Sequence, residues 1–160
     1  VLTVPIFKLR ASSRPLGRQV GVVYIDDARR YDLGHGVAFR VRLSETGLPD
    51  GPHGFHLHEK PDLRATRKGG ELVTAGAAGP HYDPAQTGTH RGPYGSGHLG
   101  DLPRVHSVGG DIDDLVVAPR LMLADCFGRA LIVHLGGDNY TDSPANGGGK
   151  ARVLGGVIVV

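Results

Sequence analysis

GPHGFHLHE, residues 51–59, sets apolar Phe55 and Leu57 against His56 and His58 in strict alternation. A period of two marks a half-buried β-strand, so the strand predicted over Gly54–His58 sends both imidazoles out of one face of its pleat and both apolar side chains out of the other. Two rings on one face can share a metal ion. LPDG, residues 48–51, supplies a turn before this strand. Working outward, short apolar or alternating runs bounded by turn residues predict further strands over Leu2–Arg10, Arg18–Ile25, Val37–Leu43, Leu115–Ala118, Ala130–Leu135 and Arg152–Val159. Helical periodicity is hard to find. The expectation is an all-β fold, a Greek-key β-sandwich or flattened β-barrel.

Two stretches resist the strand reading and predict long metal-binding and active-site loops. Lys60 to about Asp114 is about 55 residues of polar, Gly-rich sequence, and a loop that long in a compact domain is normally functional or disordered. It carries His81 in GPHYDP, His90 in TGTHRGP, and His98 with Asp101 in GHLGDL. Imidazoles with one carboxylate suit zinc, and a bound ion would order this segment where apolar contacts are few, making metal binding part of the folding free energy. His134 ends the run ALIVHL and could complete an all-imidazole set with His56 and His58, donors that copper favours. The second stretch, Gly136–Lys150, holds Asp138 and the run Gly147–Gly149. Glycine lets a loop pass close over a metal mouth. A lone histidine is usually a surface or hydrogen-bonded residue, and His35 and His106 are read that way. Seven of the nine histidines lie between His53 and His106, a concentration that solvated decoration does not explain.

The remaining features set bounds. A 160-residue chain of 16.8 kDa reads as a single domain over residues 1–160, long enough to bury a core. Gly at 26 residues and Pro at 11 imply many turns and shaped loops. A net charge of +2, with basic and acidic residues interspersed, argues for no nucleic-acid partner. No run approaches the apolar length of a membrane span, so no membrane partner is expected. No basic-then-apolar start resembles a signal peptide. The first residue is Val rather than Met, which reads as a processed or trimmed product.

The strings HGFHLHE, GPHYDP, GHLGDLP, ALIVHLGGDNYTDSP and GGGKARVLGGVIV resemble the copper/zinc superoxide dismutases, in particular their bacterial branch. The resemblance runs from about Val37 to the C-terminus, with the motifs in the family's order and spacing. The family is itself a standard instance of the sandwich architecture. The resemblance implies a copper ion held by His56, His58, His81 and His134, and a zinc ion held by His81, His90, His98 and Asp101. It implies that Asp138 joins His56 to His90, that His53 ties loops together, and that Arg152 guides the superoxide anion to copper and holds it there. Always charged and forked, a guanidinium suits a small anion. Electrostatic focusing raises encounter rates by about 10–1000-fold, an effect for which superoxide dismutase is a known example. Lys60 and Lys150 are candidates for adding positive field at the mouth. The implied activity is disproportionation of superoxide to dioxygen and hydrogen peroxide, with His81 relaying the proton. The implied location is periplasmic or secreted, and a homodimer is one possible state, since bacterial relatives include monomers and dimers.

One departure stands out. The family normally carries a disulfide from the loop after the HxH pair to the final strand, and the matching positions here are Leu63 and Gly155. Cys126 is the only cysteine, so no intrachain disulfide forms. The loss bears on the rigidity of Lys60–Gly70 and on the placement of Arg152, and Leu63 packed against apolar neighbours is the expected substitute. A cysteine-poor chain is compatible with either redox compartment, and Cys126 reads as a small apolar residue or an incidental thiol. Two other functions are weighed. One is a non-enzymatic copper/zinc-binding or copper-delivery protein on the same scaffold. The other is a zinc hydrolase, which needs an open zinc position with a water and a base, against which four filled positions argue.

Overall fold

A computed structural model describes residues 1–159. Its strands, in chain order, are β1 (Leu2–Leu9), β2 (Leu16–Asp27), β3 (Val37–Leu43), β4 (Gly51–His53), β5 (Phe55–His58), β6 (Thr66–Lys68), β7 (Glu71–Val73), β8 (Val105–Ser107), β9 (Ile112–Ala118), β10 (Arg129–His134) and β11 (Arg152–Ile158). Short 3-10 turns are the only helical elements among the described residues. The fold is all-β.

Seven strands form one sheet in the order β5, β10, β11, β1, β2, β3, β9, each pair antiparallel. The sheet curls into a half-barrel, consistent with a Greek-key β-sandwich. Its curvature shows in one contact: four strands lie between β5 and β3 in the sheet order, yet Phe55 and Phe39 meet edge to face with ring centroids 5.7 Å apart. Phe55, Leu57, Leu131, Val133, Leu154 and Ile158 point into this interior with Ile6, Val23, Ile25 and Phe39.

Alternation then dictates what lies outside. On β5 the outward residues are His56 and His58, and their partners across the ladder on β10 are Ile132 and Ala130. His134 follows on the same face of β10, and a bulge there brings Arg152 of β11 directly opposite it. Bulges commonly re-aim side chains beside functional sites. The imidazoles thus stand on the convex face of the sheet, against the long loops.

Those loops contain more structure than sequence suggested. The Lys60–Asp114 segment includes the β6–β7 hairpin, β8 paired with β4, a 3-10 turn at Gly76–Ala78 and the start of β9. Three-residue strands show too few alternations to be seen in sequence. β9 starts at Ile112 rather than Leu115, and β2 runs from Leu16 to Asp27 rather than from Arg18 to Ile25.

Leu63 is buried in a satellite cluster with Ala75, Ala78, Ala130 and Ile132, flanked by Leu9 and Val157, on that same outer face. Its Cδ2 lies 3.3 Å from the point where a Cβ on Gly155 would stand. Leucine and glycine therefore meet where the family usually places a crosslink. A native disulfide typically contributes about 2–4 kcal/mol and full burial of a leucine about 1.5–3 kcal/mol, so the two devices are of the same order.

Candidate metal centre

Two groups of buried donor residues adjoin on the convex face. In the first, one nitrogen each of His56, His58, His81 and His134 lie within 4.8 Å of one another; in the second, so do one nitrogen each of His56, His81 and His90 and a carboxylate oxygen of Asp101. Each of these residues is 5% exposed or less. The HxH strand supplies two rings, β10 a third, and the loops the remainder.

One nitrogen of most rings is already committed, which fixes the atom left over. His58 Nδ1 donates to the Gly79 carbonyl at 2.8 Å and His134 Nδ1 to the Lys150 carbonyl at 3.2 Å. Both rings then present a bare Nε2, and these two atoms lie 3.4 Å apart. Two lone pairs do not bond to each other; a cation between them resolves the contact. His56 and His90 donate Nε2 to opposite oxygens of Asp138, at 2.8 Å and 2.7 Å. Their Nδ1 atoms are buried without a hydrogen-bond partner, and His90 Nδ1 faces Asp101 Oδ2 at 2.8 Å. Leaving a buried polar atom unmatched costs about 1–3 kcal/mol, and a metal ion satisfies it. Outer hydrogen bonds of this kind are what orient metal-binding histidines. The donor set fits two ions.

His81 lies between the groups. Its Nδ1 is 2.7 Å from Asp101 Oδ1, which leaves Nε2 for the first group, and its ring centroid is 4.0 Å from that of His56 and 4.9 Å from that of His58. His56 belongs to both groups by distance but has a single free nitrogen, so it can serve one of them. A fourth donor for the second group stands nearby: His98 Nδ1 is 3.1 Å and 3.2 Å from the two oxygens of Asp101. His98 is the most accessible of the set, with 12% of its side chain exposed.

The electrostatics follow from burial. Desolvation pushes His56 and His58 well below the ordinary imidazole value, aided by the neighbouring His81 ring. It lowers His81 as well and brings His134 down to about 3. Burial also opposes charge on His90, but the carboxylates of Asp101 and Asp138 outweigh it and push that ring up to about 9. Burial would raise Asp101; the His81, His90 and His98 rings around it hold it far below the usual carboxylate range instead. Neutral imidazoles in one group and a firmly ionised carboxylate in the other are protonation states that metal binding requires, whereas His90, protonated in the metal-free protein, would release its Nδ1 proton as an ion enters.

The glycine run closes the site. Gly147, at φ 72, leaves no room for a Cβ against Asp138 and His90, and a Cβ on Gly149 would come 3.3 Å from the His134 ring. Arg152 sits at the edge, its Nη1 donating to the Ala75 carbonyl at 2.9 Å. His53, outside both groups, ties Pro49 at 2.8 Å to His134 and Leu135 at 3.0 Å through their carbonyls.

Several contributors escaped sequence reasoning. The carbonyls of Gly79, Lys150 and Ala75 orient His58, His134 and Arg152, and Asp142 accepts the His90 backbone N–H at 3.0 Å. Arg104 donates to the Asp138 carbonyl at 3.0 Å and lies over the Tyr140 ring. Lys150 touches the site through its backbone carbonyl.

A curled antiparallel half-barrel bearing two adjoining imidazole-rich groups that share a ring has the donor set of a β-sandwich metalloprotein with a paired metal centre. Residues 20–158 match the family described as Copper/zinc superoxide dismutase (SODC), and the chain belongs to that family. Among its relatives, a superoxide dismutase [Cu-Zn] of Brucella abortus is 47% identical over 145 residues, 89% of this chain and 80% of that protein. One from Escherichia coli is 43% identical over 150 residues, 92% of this chain and 83% of that protein. The solved Cu/Zn superoxide dismutase from Brucella abortus superimposes with a TM-score of 0.89 at 44% identity, covering 98% of this chain and 97% of that one. The monomeric copper, zinc superoxide dismutase from Salmonella enterica gives 0.79 at 40% identity, over 98% and 97%.

Proposed function

We propose that this protein disproportionates superoxide to dioxygen and hydrogen peroxide, with copper held by His56, His58, His81 and His134 and zinc by His81, His90, His98 and Asp101. The observation that carries this reading is the shared ring: one imidazole commits Nδ1 to the carboxylate group and turns Nε2 to the all-histidine group. When bound, copper supplies a one-electron couple that accepts from one superoxide and returns to a second, beside a zinc ion with no redox chemistry.

The chain's own residues do the rest. The Arg152 guanidinium, held by the Ala75 carbonyl, attracts the anion and orients it. Nε2 of His81 takes up and gives back one of the two protons that hydrogen peroxide needs, the other coming from solvent. Asp138 holds the His56 and His90 rings in one tautomer, and the Gly79 and Lys150 carbonyls do so for His58 and His134. The convex sheet face and the glycine run keep these donors dry and fixed, so little reorganisation accompanies each step.

Metal analysis combined with a superoxide-consumption assay on the fully loaded protein tests this. The reading expects both metals bound and turnover that depends on copper. Bound copper with negligible turnover would make the chain a copper-binding or delivery protein. Hydrolytic activity with zinc alone would make it a hydrolase.

A further inference from the structure

The chain leaves the sheet after His58 and returns at Gly79, and the excursion delivers two carbonyls to the metal centre. Ala75 O receives Arg152 Nη1 at 2.9 Å and Gly79 O receives His58 Nδ1 at 2.8 Å. Backbone bonds close the base of the excursion, from Glu59 N to Pro80 O and from Lys60 N to Ala78 O. Beyond that base two backbone bonds hold it, from Ala65 N to Ser12 O at 3.1 Å and from Ala77 N to Arg64 O at 3.0 Å. Thr66–Lys68 is exposed throughout, and among the described residues Leu63 is the one buried residue between Lys60 and Thr74.

Leu63 enters a socket made for it. Gly155 provides the floor, where any Cβ would meet the Leu131 carbonyl at 2.9 Å, Leu9 at 3.2 Å and Leu63 itself at 3.3 Å. Ala75, Ala78 and Ala130 are small neighbours in the same cluster and cannot expand to fill a void. Ala75 is also held in the left-handed region at φ 55, a conformation that a residue with a Cβ adopts at a cost. Its carbonyl also accepts the Ala78 N–H at 3.0 Å, so the short 3-10 turn and the packing beneath it together aim that oxygen at Arg152.

We propose that Leu63 is a positioning residue: its seating against Gly155 fixes the Ala75 and Gly79 carbonyls, and through them the Arg152 guanidinium and the His58 ring. The proposal rests on the reading of Arg152 as the group that handles the substrate anion. Its cluster is separate from the main core, so loosening it frees the excursion while the barrel stays folded, in the manner of a local unfolding unit.

The test uses the copper- and zinc-loaded protein and azide, a small anion whose binding to copper(II) is read spectroscopically. Leu63→Ala is expected to keep both metals, to bind azide about tenfold more weakly, as expected when a charged donor leaves hydrogen-bond reach, and to lose the ionic-strength dependence of superoxide turnover. Leu63→Met, which conserves volume, is expected to match the parent. Should Leu63→Ala fail to fold, Leu63→Val gives the same comparison. A destabilised Leu63→Ala or Leu63→Val protein whose azide affinity and salt response equal the parent's would reduce Leu63 to packing and overturn the proposal. A parent that binds azide in a Leu63-dependent way without consuming superoxide would sink the proposed activity and leave the positioning role standing.

Discussion

Gly147 presses its α-carbon against the carboxylate of Asp138 so closely that a Cβ there would fall inside the contact radius of Oδ1 and lie 2.8 Å from His90 Nε2. Its φ of 72 also lies where side chains are strained. Gly147→Ala should therefore displace Asp138 from the two rings it joins. Loss of such outer hydrogen bonds typically costs about 10–100-fold in metal affinity, and chelator competition should show both ions held more weakly. Unchanged retention of both would mean that the glycine run merely passes nearby.

His81 and Arg152 should separate cleanly by substitution. His81→Ala removes the ring that faces both donor groups, so both metals should be disturbed. Arg152→Ala removes no donor; both metals should remain while turnover falls by about tenfold or more and its ionic-strength dependence weakens. Metal content and stopped-flow superoxide decay at two salt concentrations decide. An arginine variant equal to the parent in rate and salt response would refute the steering role.

The metal-free protein should be sensitive to acid. His56, His58, His81 and His134 have folded values below the ordinary 6.5, His134 at about 3. The unfolded chain thus binds more protons than the folded one below pH 6.5, and the stability these rings contribute, present above that pH, is lost as pH falls through it. His90, raised to about 9, acts oppositely: its contribution is full below 6.5 and lost as pH rises through 9. Thermal melts should peak near neutrality and drop steeply from pH 6.5 toward 5. A flat profile across that interval would contradict the buried neutral imidazoles.

Cys126 should be silent. It is fully buried and burial pushes its thiol up to about 12, so thiolate is scarce at ordinary pH. Iodoacetamide at pH 8 should label it only after denaturation, as read by mass spectrometry. With no disulfide to reduce, dithiothreitol should leave the melting temperature of the metal-free protein unchanged. Rapid labelling of the native protein would show that this part of the core opens.

Much was legible because side-chain chemistry repeats with the geometry of a strand. Phe55 and Leu57 against His56 and His58 gave both the element and its two faces, and Val37–Leu43 was read to its observed ends. The β4–β8 pair and the β6–β7 hairpin were not read, since three residues show hardly one alternation. Leu63 could be named as a substitute for a crosslink, but its socket could not: Gly155, Ala75 and Ala130 come from three separate parts of the chain.

The sequence by itself determined which donors exist, in what order, and that an all-β scaffold would carry them, because residue type and period are local properties. The tertiary structure decided which nitrogen each imidazole has left to offer. That depends on the carbonyls of Gly79 and Lys150, and on Asp138 reaching His56 from 82 residues away. Every residue has a carbonyl, so no sequence signal marks the ones that matter; only the path of the folded chain brings them within hydrogen-bonding distance.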